Sequence, residues 1–487
     1  MGGKIKMPYK LLTKSKYLIG MQCPKLLWIM FHQPEKIPEV DASTQYRFDQ
    51  GELVGQLAKK LYPKGVDISY GDFKTNLDKT KELLKQNLSL FEAGVVVGRT
   101  FARADILVPN KEGWDIVEVK SSTSVKDENI QDVSFQKYVY EQSGLKIKKC
   151  SLLHLNNEYV KKGEIDPKKL FILEDISKEV EEASIGIKER IDEMLKIIDA
   201  EKMPCVKISN SCHNPYECLV EECWEHMPEH NVFHLYRIGK KAFDLVENGI
   251  LALEDVPSDT KLTEIQQIQL KCAKGKCPHV NKTEIKKFLS SLEEPLHFLD
   301  FETFATAIPL FDGTRPYQAI PFQFSLHVDD KHHSFLALNK DDPRKDFLNA
   351  LKKAIGPKGS IIVYNQSFEQ GRLRELASIF PKEKAWIESV IARMVDLLIP
   401  FRNFHYYHPQ QKGSASIKEV LPALTGKSYS EMEIGDGGTA SLSFLTMVQE
   451  DLPEKEKLKI KKDLEDYCGL DTEGMVWIIE KLRGMVR

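Results

Sequence analysis

Acidic residues two apart in a strand point to the same side of it, and this sequence has two places where that spacing carries chemistry. Asp300 and Glu302 alternate in Phe298-Leu299-Asp300-Phe301-Glu302-Thr303. Glu118 and Lys120 alternate in Asp115-Ile116-Val117-Glu118-Val119-Lys120, and Asp105 lies in the preceding strand candidate, from which it can meet them across a hairpin. Paired carboxylates suit Mg²⁺ or Mn²⁺, which take oxygen ligands and keep several waters. A lysine beside them can orient a water or balance charge developing on a phosphate. Glu369 follows another strand candidate, and Tyr467 and Asp471, four apart, share one face of a helix. Three or four carboxylates can hold two divalent ions about 4 Å apart. Taken singly, each of these acids also reads as an ordinary solvated side chain.

The nine cysteines are unevenly spread. With no secretory signal they are expected as reduced thiols, so clusters point to metal rather than disulfides. Cys205, Cys212, Cys218 and Cys223 crowd one segment and by themselves supply four thiolates for zinc. Cys272 and Cys277, with His279, lack a matching second pair, and Cys150 and Cys468 read as buried core residues.

The elements that must position these groups alternate between helical and strand patterns. Leu53, Val54, Leu57, Ala58 and Leu61 mark a helix face that ends at Pro63. Strands are expected near 94–98, 101–108 and 114–120, a helix over 128–143, and a strand over 150–155. The stretch 170–198 reads as one long helix. From 230 to 285 the pattern is helical, polar and strandless, a connector in which Gly239 and Gly249 offer only a weak phosphate-gripping hairpin signal. A second α/β region follows, with strands expected at 297–301, 319–328, 334–337, 360–364 and 393–397. Helices are expected at 346–354, 368–380 and 454–482.

At 487 residues, the length predicts about three domains. A hydrophobic fraction of 42% with 29% charged residues excludes a wholly disordered or collagen-like chain. No apolar run approaches the ~18 residues of a membrane helix, so no membrane partner is expected and the protein reads as cytoplasmic. Met1-Gly2-Gly3 opens like a myristoylation site, but Lys6 stands where Ser or Thr is needed. A net charge of −3 gives no global basic field. The first forty residues are locally basic, with Lys4, Lys6, Lys10, Lys14, Lys16, Lys25 and Lys36 interleaved with Tyr9, Tyr17 and Trp28. That suits a nucleic-acid backbone or simply a solvated helix face.

Ala104-Asp105-Ile106-Leu107, then Glu118-Val119-Lys120, then Gln136 and Tyr140 resemble the RecB-type branch of the PD-(D/E)XK nucleases. The resemblance implies a restriction-endonuclease-like fold. In it Asp105, Glu118 and the Val119 carbonyl hold metal, Lys120 is catalytic, and Gln136 and Tyr140 form the family's Q-x-x-x-Y motif, with Glu92 as a further upstream acid. Many relatives carry a metal-ligating His where this chain has Gly55. The segment from Leu12 through Cys23-Pro24-Lys25-Leu26-Leu27-Trp28 resembles the opening of the iron–sulfur members. There one early cysteine joins three late ones, which implies a 4Fe–4S cluster on Cys23, Cys212, Cys218 and Cys223. The local zinc site remains the alternative.

The order D-x-E, N-x-x-F-x, Y-x-x-x-D resembles the DEDD exonucleases of the RNase H-like (DnaQ-like) superfamily. It implies Asp300, Glu302, Glu369 and Asp471 as metal ligands and Tyr467 as the residue that orients attacking water. Glu369 stands where the family has Asp, and Asp396 reads as structural. The stretch 313–324 and the run His405-Tyr406-Tyr407-His408-Pro409 resemble an uncharacterised bacterial domain found behind RecB-like nucleases. In it Arg315, Tyr317, Tyr406 and Tyr407 are candidates for stacking on a strand end. The expectation is therefore an α/β chain in three parts: a RecB-type nuclease over 1–228, a helical connector over 229–285, and an RNase H-like exonuclease over 286–487. It would cut DNA with single-stranded ends in repair or defence. RNA trimming, or nucleic-acid binding and scaffolding with degenerate sites at Gly55 and Glu369, are the alternatives.

Overall fold

The computed structural model describes residues 10–68 and 72–487, so Met1-Gly2-Gly3, Lys4, Lys6 and Tyr9 lie outside the described residues. The architecture is mixed α/β in two compact units. One is Met1–His226 with Thr306–Tyr317; the other is Met227–Ala305 with Gln318–Arg487. The stretch expected as a connector thus belongs to the second unit. Among the described residues no helix is long and apolar enough to cross a membrane.

In the first unit, runs of buried Leu, Val, Ile and Ala build a seven-stranded sheet. Its strands are β1 (Leu12–Thr13), β2 (Val66–Asp67), β3 (Leu90–Val97), β4 (Thr100–Asn110), β5 (Gly113–Lys120), β6 (Ile147–Leu155) and β7 (Phe171–Asp175). The order is β2-β3-β4-β5-β6-β7, with β1 paired to the start of β4. β3, β4 and β5 form an antiparallel meander, and β6 returns parallel to β5. Its helices include α1 (Lys14–Gln22), α2 (Pro24–His32), α3 (Ala42–Lys59), α4 (Phe73–Leu83), α5 (Asp127–Gln142), α6 (Ser177–Ser184) and α7 (Ile187–Asp199). α5 crosses between β5 and β6 and buries Val133, Phe135, Val139 and Tyr140 completely. The single helix expected over 170–198 is instead β7, α6 and α7. β7 pairs antiparallel with β6, and Gly186 in the left-handed region (φ +72°) separates the two helices.

The second unit contains β8 (His279–Val280), β9 (His297–Phe304), β10 (Ile320–Val328), β11 (Lys331–Leu336), β12 (Ile361–Val363), β13 (Met394–Asp396) and β14 (Tyr406–Tyr407). Five of them form one sheet in the order β11-β10-β9-β12-β13. β10 runs antiparallel to both β9 and β11, while β12 and β13 run parallel to β9 and to each other. Its helices include α8 (Lys241–Glu247), α9 (Glu264–Gly275), α10 (Lys282–Ser290), α11 (Arg344–Ala354), α12 (Gln366–Ile379), α13 (Ile417–Thr425), α14 (Gly437–Gln449) and α15 (Glu454–Val486). The former connector is not strandless, since β8 pairs with β14. That pairing overturns the stacking role expected of Tyr406 and Tyr407. Both rings are buried, Tyr407 against Phe404, and neither offers a face to a base.

Candidate active sites

In the first unit the site forms where two strands part. β4 and β5 pair from Asn110↔Gly113 to Ile106↔Val117, and the ladder stops there. Asp105 bridges the gap, its Oδ2 accepting the Val119 N–H at 2.8 Å. Glu118 Oε1 accepts the Lys120 ammonium at 2.7 Å, so the two share a face as the strand period requires. Gln136 donates to Glu118 Oε2 at 2.8 Å and to Asp132 Oδ1 at 3.0 Å. Lys120 also reaches Asp132 at 2.7 Å. Asp132 was not anticipated, although it precedes Gln136 by four residues and so had to share its helix face. Tyr140, fully buried, donates to the Ala93 carbonyl and accepts the Ala104 N–H at 2.9 Å. Its hydroxyl holds β3 to β4 and does not reach the acids. Glu92 leaves the β3 ladder with φ +59° and pairs with Arg103 at 3.1 Å. A Cβ at Gly55 would meet nothing within 4 Å.

Glu118 does not face an open cleft: only 1% of its side chain is exposed, against 27% for Lys120. Burial and the charge of Glu118 push Asp105 up to about 7. Burial would also raise Glu118, but Lys120 and Lys14 outweigh it and hold that carboxyl well below its usual range.

Three cysteines of the first unit, Cys23, Cys218 and Cys223, pack into one cluster. Cys23 caps the N-terminus of α2, its Sγ accepting the Leu26 N–H at 3.5 Å. It packs with Cys218 and Cys223 against Leu26, Trp28, Ile29 and Val220. Cys218 N–H donates to the Cys212 carbonyl at 2.8 Å, and Cys212 lies close enough to feel the charges of Cys23 and Cys223. Cys205 is exposed and is not part of this group. No three of the four sulfurs lie within 4.8 Å of one another.

In the second unit, Asp300, Glu302, Glu369, Tyr467 and Asp471 all line one cavity of about 290 Å³. β9 supplies Asp300 and Glu302 on one side, with Phe301 turned into the core. Asn365, in the left-handed region at φ +81°, turns the chain from β12 into α12 and puts Glu369 in the first turn of that helix. α15 is stapled across the sheet: Gln323 Nε2 donates to the Leu464 carbonyl at 2.8 Å, and Ser325 and Thr472 hydroxyls meet at 2.7 Å. Asp471 accepts the Tyr429 hydroxyl at 2.5 Å. Asp396 accepts the Asn365 and Leu398 N–H groups at 3.0 Å and holds the β12–α12 turn.

Three residues of this site escaped the sequence reading. Cys468 points its thiol at Asp300 Oδ2, 3.7 Å away, and with Asp300 and Glu302 forms a group able to hold a metal ion. Lys418 lines the cavity 5.6 Å from the Tyr467 ring centroid, and Tyr429 braces Asp471. Nothing near Lys418 or Tyr429 in the sequence signals this, because each enters from a different element.

The electrostatics test whether a cation fits. Glu369 Oε2 is buried without a hydrogen-bond partner. Burial, then neighbouring acids, push Asp300 well above the carboxylate range and Glu302 up to about 8. Burial likewise takes Glu369 to about 8, and takes Asp471 to about 6 against the opposing pull of Tyr429 and Lys418. An orphaned carboxylate oxygen among crowded acids is an environment that a divalent ion satisfies.

Carboxyls with raised folded pKa values bind protons more tightly when folded. Their contribution is full below the unfolded values near 4.5 and is lost as pH rises through about 8. The metal-free protein should therefore lose thermal stability between about pH 5 and about pH 8. Added Mn²⁺ should raise Tm more at the upper end than at the lower, because binding displaces those protons. Equal Mn²⁺-induced shifts at both ends of that range would contradict this reading of the cavity.

Residues 297–416 match a family described as a domain of unknown function, DUF2779. The match covers β9 with Asp300 and Glu302 and extends past Glu369, and it ends before Tyr467 and Asp471. The chain is 28% identical over 221 residues to an uncharacterized MG366 homologue of Mycoplasma pneumoniae, covering 40% of this chain and 33% of that protein. It is 25% identical over 228 residues to the uncharacterized protein MG366 of Mycoplasma genitalium, covering 42% and 34% respectively. The chain thus matches about a third of the length of these curated relatives.

Proposed function

We propose that this protein is a metal-dependent nuclease with two hydrolytic centres, acting on DNA with single-stranded ends. The observation that carries the reading is the convergence of Asp300, Glu302, Glu369 and Asp471 on one cavity, with Tyr467 on its wall and one buried carboxylate oxygen unpartnered. These are the positions that the DEDD resemblance points to, drawn from β9, α12 and α15, with Glu369 where that family has Asp. Divalent Mg²⁺ or Mn²⁺ bound there would supply activated water and charge stabilisation of the leaving oxygen. The chain's own contribution is to fix the acids: Tyr429 braces Asp471, and Gln323 and Thr472 lock α15 onto the sheet. The sheet order and the helix stapled across it support an RNase H-like reading of this unit.

For the first unit, the β3–β4–β5 meander, the crossover α5, and the contact of Asp105, Glu118, Lys120 and Gln136 support a restriction-endonuclease-like centre. Lys120, the more exposed of the charged pair, is placed to act on water or phosphate. Cys23, Cys212, Cys218 and Cys223 would hold a 4Fe–4S cluster that ties α2 to the chain nearly two hundred residues later. A second reading, in which the first unit only grips the strand, draws on the absence of a side chain at Gly55. The proposal is tested by whether labelled strands shorten with Mg²⁺ or Mn²⁺ and stay intact under a chelator.

The cluster has its own test. Anaerobically purified protein should be brown and hold about four irons per chain. Cys23→Ser should abolish the colour and the iron, while Cys205→Ser, at an exposed thiol outside the group, should keep both. Stoichiometric zinc retained in Cys23→Ser would establish the local zinc site instead.

A further inference from the structure

Asp105 and Glu118 already have an ammonium between them. Lys14, the first residue of α1, places Nζ 2.7 Å from Glu118 Oε1 and 3.7 Å from Asp105 Oδ1. Lys120 reaches the same Glu118 oxygen at 2.7 Å but has a second carboxylate, Asp132, at 2.7 Å. Among the described residues, Lys14 forms ion pairs with Asp105 and Glu118 alone. The two lysines are therefore not equivalent. If both lose Glu118 to another cation, Lys120 stays paired and Lys14 does not.

The backbone beneath Lys14 is fixed. Leu12, paired with Thr100 of β4, and Tyr17, one turn along α1, are both fully buried. The Thr13 hydroxyl caps the helix by accepting the Lys16 N–H at 3.4 Å. Only the side chain of Lys14 is free to change place. About a quarter of it is exposed, so it has a path toward solvent.

We propose that Lys14 is a placeholder cation. It neutralises Asp105 and Glu118 while the centre is empty, yields its place when a divalent ion arrives, and then turns to the substrate phosphate. The inference rests on the reading of the first unit as a metal-dependent nuclease. A buried or half-buried ammonium stripped of its carboxylates needs another anion, and a phosphodiester is the anion that the centre would receive. Three carboxylates (Asp105, Glu118, Asp132) face two ammoniums (Lys14, Lys120), a formal balance of −1. A divalent ion turns that balance to +1, which a single phosphodiester charge cancels. Ion and strand should therefore bind cooperatively through Lys14, each lowering the cost of the other.

The experiment uses the full chain carrying Glu302→Gln and Asp471→Asn, so that Mn²⁺ binding reports the first centre. Calorimetric titration with Mn²⁺ should give at least about tenfold tighter binding for Lys14→Met and for Lys14→Gln than for the parent, because the competing charge is gone. A phosphorothioate oligonucleotide should tighten Mn²⁺ binding in the parent and leave it unchanged in Lys14→Met. Amine-labelling mass spectrometry on the chain with Lys14 intact needs no substitution at that site. Lys14 should be protected without metal and become reactive with Mn²⁺, while Lys120, retained by Asp132, should not change. Equal or weaker Mn²⁺ binding by both Lys14 variants, or Lys14 labelling that ignores Mn²⁺, overturns the placeholder role alone. No Mn²⁺ binding by any of the proteins overturns it together with the metal-centre reading beneath it.

Discussion

Glu302→Gln should stop strand shortening at the second centre while leaving strand binding within a few-fold of the parent. The amide keeps the shape and hydrogen-bonding capacity of the carboxylate but removes the charge that holds a divalent ion. Glu302 is 7% exposed and belongs with Asp300 and Cys468 to the group able to hold a metal ion. The loss should exceed the ~10²–10³-fold that removal of one electrostatic stabiliser costs in other enzymes, and it should fall on turnover rather than affinity. Asp471→Asn should behave alike. Glu369→Asp should keep or raise activity, because it restores the residue usual in the resembling family. Tyr467→Phe should slow the reaction less than loss of any acid, since a water can be oriented otherwise. These rates are read on end-labelled strands in a Lys120→Ala background. Undiminished shortening by Glu302→Gln would remove the second centre from the account.

Lys120→Ala should cost the first centre at least ~10²-fold, the scale of a lost general acid–base or charge-stabilising group, with the fold intact. The ion network explains why this variant is the informative one. Without Lys120, Glu118 still has Lys14 at 2.7 Å, and Asp132 still accepts Gln136 at 3.0 Å. Glu118→Ala is a poor choice, because it leaves two ammoniums without their shared carboxylate, a change of the kind that costs about 3–5 kcal/mol when a buried pair is broken. Glu118→Gln avoids the cavity and should lose activity with less damage. Rates measured in an Asp300→Asn background isolate this centre. Parental rates in both Lys120→Ala and Glu118→Gln would make the first unit a binding module.

Much of both sites was legible because strand and helix periods place side chains without knowledge of the fold. Asp300 with Glu302, Glu118 with Lys120, and Tyr467 with Asp471 needed only periods of two and 3.6 residues. What failed was information carried by partners far away in sequence. Lys14 read as one more lysine on a basic face, since only the pairing of β1 with β4 brings α1 over the acids. Cys468 read as core, and its thiol is indeed buried, yet it meets Asp300 because α15 lies across β9. β7 hid inside a helical pattern: four of its five residues are exposed, so its strand state comes from pairing with β6 and not from its own periodicity. Tyr406 and Tyr407 read as platforms because an aromatic pair beside histidine and proline looks the same whether it stacks on a base or on Phe404.

The most direct measurement is degradation of end-labelled DNA and RNA by the 487-residue chain with Mg²⁺ or Mn²⁺, comparing the parent with Lys120→Ala, Asp300→Ala and the double variant. Two independent centres predict that each single variant keeps part of the parental activity, with a changed product pattern, and that the double variant has none. A parent that binds strands but shortens neither DNA nor RNA under either metal would contradict the account, as would a double variant that cuts like the parent.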